Sequence, residues 1–441
     1  MLKVNHLYET NLIIKKFGKS KRSRLTLTTN SRNTDGCNFF IALNGERFKG
    51  SSFIKGILEK KIDVIVFNDE DLENVRPFIE KYPDILFITC DNTVVFLQEL
   101  SKKLISKWKK NGGTVLALTG SNGKTTTKEY LFQFLGFVLD KKYIHVTSGN
   151  LNNHLGVPIT ILNLKDTHKF VILELGSNHP GEIKFLANIA QPDHALISSI
   201  GKSHLEFFDS VENVNKEKVS LFDYCKNSNP KSIITMYSKY NLINSNFDDI
   251  ELIDYTPLNL KNINIQEAYN KENLFLSYKF LSRVLKTSSQ KKRLKKYYPK
   301  IRNTNSMRSH WLIKNNCNYY VDAYNANPSS MEHSLNFFIE HIKKNSINLD
   351  KVLFILGDMN EIGTQKEQYY LTVCKQLNDS QIKKAVFVGK DFELYKKHFS
   401  GTSKCFLTVD ELIVENTLLA EFNYIFLKAS RSVQLENIIK E

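Results

Sequence analysis

The sequence lacks several features that would assign it to common classes of protein. Among its 441 residues, no apolar run approaches the roughly 20 residues that a membrane-spanning helix requires. The first stretch, MLKVNHLYETNLIIKK, has neither the apolar segment nor the small-residue cleavage site of a secretion signal. The six cysteines lie far apart without a CxxC pair, so neither a disulfide framework nor a zinc site is indicated. We therefore expect a cytoplasmic protein with no membrane span.

The chain is basic, with a formal net charge of +15. Its lysines are scattered through stretches such as KKFGKSKRSR, SKKLISKWKK and QKKRLKKYYPK, and no basic motif is interleaved with aromatic residues. A generally basic surface also suits anionic nucleotide substrates. We therefore expect no nucleic-acid partner, although ATP hydrolysis stimulated by DNA or RNA would favour one.

The length and the order of apolar runs predict three α/β domains. Runs of strand length (FFIAL, DVIVF, DILFITC) precede a helical stretch that ends at Gly112-Gly113. Strands then alternate with helices twice, first with TVLALTG, FVILELG and HALISSIG, later with NYYVDAY, KVLFILGD, KAVFVG and YIFLKAS. Such alternation predicts parallel sheets covered on both faces. We place the domains at residues 1–110, 111–299 and 300–441.

The strongest single motif is a phosphate loop between a strand and a helix. It consists of Gly120, Ser121, Asn122, Gly123, Lys124, Thr125 and Thr126, directly after TVLALT. Glycines let backbone N–H groups face phosphate oxygens at the helix N-terminus. We expect Lys124 to reach the β- and γ-phosphates and the Thr125 hydroxyl to bind Mg²⁺. The sequence therefore predicts ATP or GTP binding.

GSNGKTT has fewer residues between its glycines than the common GxxxxGK[ST] form, and it resembles the phosphate loop of the Mur ligase superfamily. Three further elements are similar in order and spacing: GNLNNHLGVP (149–158), Glu174 in VILELGSN and His204 in ISSIGKSHLEFF. By itself, a lone strand-end Glu is more often a solvated residue, and a lone His after a glycine loop is usually structural. The resemblance implies that Asn152 and Asn153 contact substrate and that Glu174 and His204 bind metal.

The superfamily also carries a lysine whose amine takes up CO₂ to become a carbamate that bridges metal ions. Within VENVNKEKVSLF, Lys218 is the most similar because Phe222 follows four positions later, and Lys216 is the rival. Carbamate formation needs the neutral amine, hence a partly buried lysine with a lowered pKa. The resemblance implies two Mg²⁺ ions held by Thr125, Glu174, His204 and carbamylated Lys218, with Lys124, Glu174, His204 and Lys218 as catalytic residues.

The segment 30–53, NSRNTDGCNFFIALNGERFKGSSF, resembles the uridine-nucleotide-binding domain of two superfamily members. By this resemblance Ser31, Arg32, Arg47 and Gly50 would contact the substrate nucleotide. ELGSNHPGEI, DAYNANPSSM, LGDMNEIG and LKASRSVQLE are similar to the member that adds D-alanyl-D-alanine to UDP-N-acetylmuramoyl-tripeptide. The resemblance thus implies an ATP-dependent ligase of peptidoglycan precursor synthesis that acts through an acyl phosphate, as a monomer.

The same resemblance implies a small uridine-nucleotide-binding domain, a central phosphate-loop ATPase domain and a C-terminal Rossmann-like domain. It places six further residues on the ATP side, namely Asn270, Asn273, Arg308, Asp322, Asn325 and Asn327.

The stretch 222–270 is shorter than the resemblance leads us to expect, and Ala429 stands where Gly is usual. Two alternatives therefore stay open. A folylpolyglutamate-synthase-like ligase would share the phosphate loop, but segment 30–53 argues against it. A non-catalytic nucleotide-binding or scaffold protein derived from the ligase would explain the short central domain. The third residue of the acceptor peptide, lysine or diaminopimelate, also stays open.

Overall fold

The computed structural model describes residues 2–45, 48–240, 251–256, 263, 265–304, 307–360 and 362–440. In this part of the chain three sheets follow one another, and all but two of their strand pairings are parallel. The predicted α/β class is confirmed. No helix in these residues is both long and apolar enough to cross a bilayer. Each sheet lies within one of the three predicted ranges, whose bounds stay predictions.

The first sheet is built from five short strands. They are β1 (Ile13–Phe17), β2 (Leu27–Thr28), β3 (Phe39–Ile41), β4 (Val64–Asn68) and β5 (Leu86–Cys90). Its helices are α1 (Val4–Tyr8), α2 (Ile54–Ile57), α3 (Leu72–Lys81) and α4 (Thr93–Lys110). The strand order is β1-β5-β4-β3-β2, and only β1 is antiparallel to its neighbour. As predicted, α4 ends just before Gly112-Gly113.

The middle sheet carries the phosphate loop. Its strands are β6 (Thr114–Thr119), β7 (Ile144–Val146), β8 (Phe170–Glu174), β9 (His194–Ile197), β10 (Ile234–Tyr237) and β11 (Glu251–Ile253). Its helices are α5 (Lys124–Leu139), α6 (Gly156–Leu162), α7 (Glu182–Ala190), α8 (Leu205–Phe208), α9 (Val211–Ser228), α10 (Ala268–Val284) and α11 (Ser288–Tyr297). The strand order is β11-β10-β9-β6-β8-β7, with every pairing parallel.

Central strand β6 shows why this sheet is buried on both faces. Val115 and Ala117 pack into one apolar core, whereas Leu116 and Leu118 pack into the core on the opposite face. Successive side chains of a strand point to opposite faces, so a continuous apolar run suits a sheet covered by helices on both sides.

The third sheet follows α11. Its strands are β12 (His310–Lys314), β13 (Cys317–Asp322), β14 (Val352–Gly357), β15 (Lys384–Val388), β16 (Thr402–Phe406) and β17 (Tyr424–Lys428). Its helices are α12 (Pro328–Lys344), α13 (Lys366–Asp379), α14 (Lys390–Tyr395), α15 (Val409–Val414) and α16 (Asn437–Lys440). The strand order is β12-β13-β17-β14-β15-β16, so the last strand is inserted between β13 and β14. Where the order of the strands reverses in this way, a crevice opens at the carboxyl ends of the strands.

The carboxyl ends of the middle and third sheets meet at one cleft. Its volume is about 1560 Å³, and residues of both sheets line it. The strand-end residues Glu174 (β8), Asp322 (β13) and Lys428 (β17) are among these lining residues. The predicted phosphate loop and residues of the third sheet therefore line the same cleft.

Candidate active site

Two glycines shape the loop that joins β6 to α5. Gly120 has φ of 151° and Gly123 has φ of 77°, both in the region that L side chains rarely adopt. A Cβ atom at Gly120 would lie 2.2 Å from the Ser198 hydroxyl oxygen, and one at Gly123 would lie 2.8 Å from the Asn273 amide. Both positions therefore need glycine, for conformation and for space.

The loop is closed by its own lysine. Lys124 Nζ donates to the carbonyl oxygens of Gly120, at 2.6 Å, and of Ser121, at 3.3 Å. Asn122 N donates to the Ser199 hydroxyl at 2.8 Å, which ties the loop to the end of β9. The loop thus has a fixed shape with a cation inside it at the N-terminus of α5, the arrangement that binds phosphate.

Glu174, at the end of β8, lies directly behind this loop and is only 2% exposed. Its Oε1 accepts hydrogen bonds from Thr125 Oγ1, at 3.2 Å, and from Asn152 Nδ2, at 2.9 Å. Its Oε2 is 3.8 Å from Lys128 Nζ and has no hydrogen-bond donor within the described residues. A buried carboxylate oxygen without a donor is costly. Glu174 Oε2 is therefore an acceptor that a cation could use.

Lys218 lies on α9 and is 1% exposed, whereas Lys216 on the same helix is exposed. Lys218 Nζ is 2.6 Å from the Ser177 hydroxyl oxygen. Burial, with a smaller contribution from the charge of Lys124, lowers the pKa of Lys218 to about 7. A large fraction of the amine is therefore neutral near pH 7, as carbamate formation requires. Of the two candidates, Lys218 has the required environment.

The neighbouring Glu217 fixes the position of α9. Its two carboxylate oxygens accept hydrogen bonds from the backbone N–H groups of Gly181 and Ile183, each at 2.7 Å. These groups lie at the start of α7, where backbone donors have no partner within the helix. The α9 backbone that carries Lys218 is thereby held against the loop that contains Ser177.

The low pKa of Lys218 predicts a pH-dependent stability. Its folded-state pKa of about 7 is below the ordinary 10.5, so between these values the unfolded chain binds more protons and stability rises with pH. We expect Lys218→Met to raise the thermal midpoint by several degrees at pH 7 in CO₂-free buffer. This advantage over wild type should shrink as the pH is raised towards 10, because losing the proton of the wild-type amine on folding costs less free energy as the pH approaches 10.5. A difference that does not change with pH would show that this lysine titrates normally.

His204 lies in the segment between β9 and α9, and its backbone is left-handed, with φ of 51°. Its carbonyl oxygen accepts hydrogen bonds from Phe207 N, at 3.0 Å, and Phe208 N, at 3.1 Å. The residue lines the same cleft as Glu174. Among the described residues no group of three or more His, Cys, Asp or Glu side chains is arranged for metal binding. The predicted ligand set is therefore one carboxylate, one imidazole and one hydroxyl, together with the carbamate.

The third sheet contributes a buried ion pair to the cleft. Lys428 Nζ donates to Asp322 Oδ2, at 2.7 Å, and to the Asn325 carbonyl oxygen, at 2.8 Å. Lys428 is 1% exposed, and burial lowers its pKa. Asp322 Oδ1 also accepts a hydrogen bond from Ser309 N, at 3.3 Å. The pair fixes the two loops that follow β13 and β17.

Arg308 and Asn327 face the phosphate loop from the third sheet. The Arg308 guanidinium stacks on the Tyr324 ring, 3.9 Å from its centroid. Asn327 caps α12 and its Nδ2 donates to Asn122 Oδ1 at 2.9 Å, a direct contact between the phosphate loop and the third sheet. On α10, Asn270 Nδ2 donates to Glu267 Oε2 at 3.2 Å.

The cleft brings together most of the residues predicted from sequence. Those lining it are Ser121, Asn122, Gly123, Lys124, Thr125, Thr126, Asn152, Asn153, Glu174, His204, Asn270, Asn273, Arg308, Asp322, Asn325 and Asn327. Lys218 lies behind Ser177, which does line it. Asn153 is exposed, and its side chain accepts from Leu155 N and Gly156 N at the start of α6. Its contact with substrate stays a prediction.

Three of the residues predicted to bind the substrate nucleotide lie elsewhere, in the loops that flank β3 of the first sheet. Ser31, Arg32 and Gly50 are not among the residues that line the cleft, and Arg47 is outside the described residues. Gly50 N donates to Asn44 Oδ1 at 2.8 Å. A Cβ atom at Gly50 would lie 2.4 Å from the Ala42 carbonyl carbon, so this loop too needs glycine.

Three residues of the site were missed from sequence. Lys128 is buried one helical turn after Lys124, and its Nζ donates to the Thr147 carbonyl oxygen at 2.8 Å. Ser177 is the hydrogen-bond partner of Lys218, and Lys428 is the partner of Asp322. Two features of the sequence indicate the two lysines. Lys128 stands four residues after Lys124, and Lys428 ends the apolar strand YIFLK.

Two family models match the chain. The model described as Mur ligase middle domain matches residues 118–291, and that described as Mur ligase, glutamate ligase domain matches residues 307–431. A relative from Buchnera aphidicola subsp. Acyrthosiphon pisum, UDP-N-acetylmuramoyl-tripeptide–D-alanyl-D-alanine ligase, is 31% identical over 439 residues. This match covers 92% of the present chain and 90% of the relative.

Solved structures agree with the observed fold over nearly the whole chain. A crystal structure of MurF from Acinetobacter baumannii has a TM-score of 0.77 at 23% identity and covers 99% of this chain and 98% of that one. MurF ligase from Thermotoga maritima, in complex with ADP, has a TM-score of 0.72 at 20% identity, with coverage of 94% and 96%. At these identities the similarity shows the fold alone.

Proposed function

Since the chain belongs to the Mur ligase family, among the UDP-N-acetylmuramoyl-tripeptide–D-alanyl-D-alanine ligases, we propose that its cleft performs the reaction for which those relatives are named. ATP drives the joining of the dipeptide amine to the terminal carboxylate of the tripeptide. The observation that carries the assignment to this cleft is the cluster of Thr125, Asn152 and Glu174 behind the loop of Lys124. This cluster supports the proposal because its buried carboxylate could hold a cation beside the terminal phosphate of ATP.

The reaction runs in two steps. A carboxylate oxygen of the tripeptide attacks the γ-phosphorus and ADP leaves, which gives an acyl phosphate. The dipeptide amine then attacks the carbonyl carbon through a tetrahedral intermediate, phosphate leaves, and the nitrogen loses a proton. The products are the amide, ADP and phosphate. Lys124 and the N–H groups of its loop neutralise charge on the transferring phosphoryl group, where such preorganised donors contribute most.

Mg²⁺ fits the donors on this side of the cleft. Glu174 Oε2 lacks a donor within the described residues and Thr125 supplies a neighbouring hydroxyl. Mg²⁺ prefers oxygen ligands, and is commonly held by one or two carboxylates together with substrate phosphates. Thr125, Glu174, His204 and the carbamate of Lys218 would hold two ions, which when bound would supply positive charge to the phosphates. The buried Lys218 amine, partly neutral at pH 7, supports the carbamate.

The third sheet would complete the nucleotide site. Arg308, Asp322, Asn325 and Asn327 line the cleft opposite the phosphate loop, and Asn270 and Asn273 line it from α10. The Asn122–Asn327 hydrogen bond spans the two sheets at the phosphate end. A site closed in this way excludes water, which would otherwise hydrolyse an acyl phosphate.

The uridine nucleotide would bind in the first domain, at Ser31, Arg32, Arg47 and Gly50. We place the enzyme in the cytoplasm, where its nucleotide substrates are made, and expect it to work as a monomer. The match to the ligase from Buchnera aphidicola covers 92% of this chain, which argues against a folylpolyglutamate-synthase-like ligase. A scaffold that has lost catalysis remains the second candidate, because of the short stretch 222–270.

The test is phosphate release from Mg²⁺-ATP with UDP-N-acetylmuramoyl-tripeptide, with D-alanyl-D-alanine, and with both. We expect release only when both are present, together with a product heavier by the dipeptide. Both tripeptide forms, with lysine or diaminopimelate as third residue, should be assayed. A folded protein that binds ATP and releases no phosphate with either form would instead be the scaffold.

A further inference from the structure

We propose that Lys202, Gly363 and Tyr369 are positioning residues, which hold the His204 segment (residues 201–208) between the middle and third sheets and so place His204 at the phosphates. The inference rests on the proposed function only for the role of His204. The contacts of Lys202, Gly363 and Tyr369 that hold the segment, which we call the clamp, are independent of that role. LGDMNEIG, one of the segments on which the family resemblance rests, ends at Gly363. This glycine is not among the residues that line the cleft.

Gly363 approaches the backbone of the His204 segment. It has φ of 69°, and a Cβ atom there would lie 3.1 Å from Glu206 N and 3.2 Å from the Leu205 carbonyl carbon. Neither backbone atom can rotate away as a side chain would. The third sheet therefore contacts the main chain within two residues of His204, and this close approach needs glycine.

Two side-chain contacts accompany this approach. Lys202 Nζ lies 5.1 Å from the centroid of the Tyr369 ring, within the range of a cation–π interaction. Tyr369 is 5% exposed on α13, and its hydroxyl donates to Gln365 Oε1 at 2.8 Å, so the ring is held in place. Leu205 packs against apolar cores of both the middle and the third sheet.

Three other described residues of LGDMNEIG contact the third sheet and its helices. Asp358 accepts hydrogen bonds from Asp391 N, at 3.1 Å, and Phe392 N, at 3.0 Å, at the start of α14. Met359 and Ile362 are buried in a core of that sheet. Gly363, by contrast, approaches the backbone of Leu205 and Glu206. We therefore assign it to holding the His204 segment.

On the other side, the segment is anchored to the middle sheet by its aromatic residues. Phe208 is buried in the core of that sheet, and the Phe207 ring lies 4.2 Å from that of His179. His204 lies between the two anchors with left-handed backbone. If the third sheet moves away, the Lys202 and Gly363 contacts are lost, and the segment keeps its aromatic anchor and the hydrogen bonds of Gly201 and Ser203 with Ser121. Residues 204–206 would then be held from both sides only when the sheets are together.

The first test compares Tyr369→Leu and Lys202→Gln with Lys202→Arg, which keeps a cation, and with Lys375→Ala, an exposed lysine on the same helix α13. We expect kcat for ligation to fall about tenfold in Tyr369→Leu and about threefold in Lys202→Gln, with the Kd for ATP unchanged. Lys202→Arg and Lys375→Ala should match wild type. In a His204→Ala background, Tyr369→Leu should have no further effect, because residues acting through one group are not additive. A further full loss in that background would overturn the inference.

The second test does not depend on turnover. The amides of Phe207, Phe208 and Asp209 donate to the carbonyl oxygens of His204 and Leu205, so their hydrogen exchange reports on the segment. We expect Tyr369→Leu and Gly363→Ala to speed exchange in a peptide covering residues 201–209 at least fivefold, with Lys375→Ala unchanged. Unchanged exchange in both variants would overturn the clamp. Wild-type protein without ligase activity would overturn the proposed function instead, whatever the exchange shows.

Discussion

We expect Lys124→Ala to lower phosphate release at least about a thousandfold, because phosphoryl transfer depends almost entirely on positioning and charge. Lys124 is the cation inside the phosphate loop, and its ammonium is held 2.6 Å from the Gly120 carbonyl oxygen. Removing it takes away both the charge that we propose faces the γ-phosphate and the group that closes the loop. The measurement is kcat with saturating tripeptide, dipeptide and Mg²⁺-ATP, together with the Kd for ATP.

The matched control is Lys141→Ala, an exposed lysine just after α5, which should keep wild-type activity. Equal thermal midpoints of the two variants would show that the loss is not one of folding. Activity of Lys124→Ala within tenfold of wild type would mean that this loop does not hold the reacting phosphate.

The second large effect is expected at Lys218. Lys218→Ala should lower kcat by at least about a hundredfold, since it removes the only group in the proposal that can form the carbamate. Lys216→Ala, two residues earlier and exposed, should stay within about twofold of wild type, as surface substitutions usually do. Steady-state turnover in bicarbonate buffer distinguishes the two.

Rescue provides the control for this pair. Formate or acetate can place a carboxylate in the space that Lys218→Ala leaves, so partial recovery is expected with these anions and none with chloride. If Lys216→Ala were the inactive variant and Lys218→Ala the active one, the assignment of the carbamate would be wrong.

The strands predicted from sequence are those buried on both faces. β6, β8, β14 and β17 are continuous apolar runs, and each was found where predicted. Edge strands were missed. β12 and β16 lie at one edge and the other of the third sheet. Their residues are half-buried or exposed, and their apolar runs are no longer than three residues.

The residues of the site likewise fall into those that the sequence predicts and those that it does not. The phosphate loop is local in sequence, so its residues could be predicted together, and the family prediction is confirmed. Lys128, Ser177 and Lys428 make their contacts across the fold, for instance Ser177 with Lys218, and no local pattern encodes such a partner. The choice between Lys216 and Lys218 likewise depended on which side of α9 is buried.

The loop between β8 and α7 has its shape before any substrate arrives. Glu182 Oε2 accepts hydrogen bonds from Asn178 N and His179 N, and Glu217 holds Gly181 N at the far end. At the near end Gly176 N donates to the Asn152 carbonyl oxygen at 2.8 Å. A segment that is already ordered loses little conformational entropy when a ligand binds, so more of the contact energy appears as affinity. The same rigidity would keep this loop from moving outward to admit a bulkier acceptor peptide.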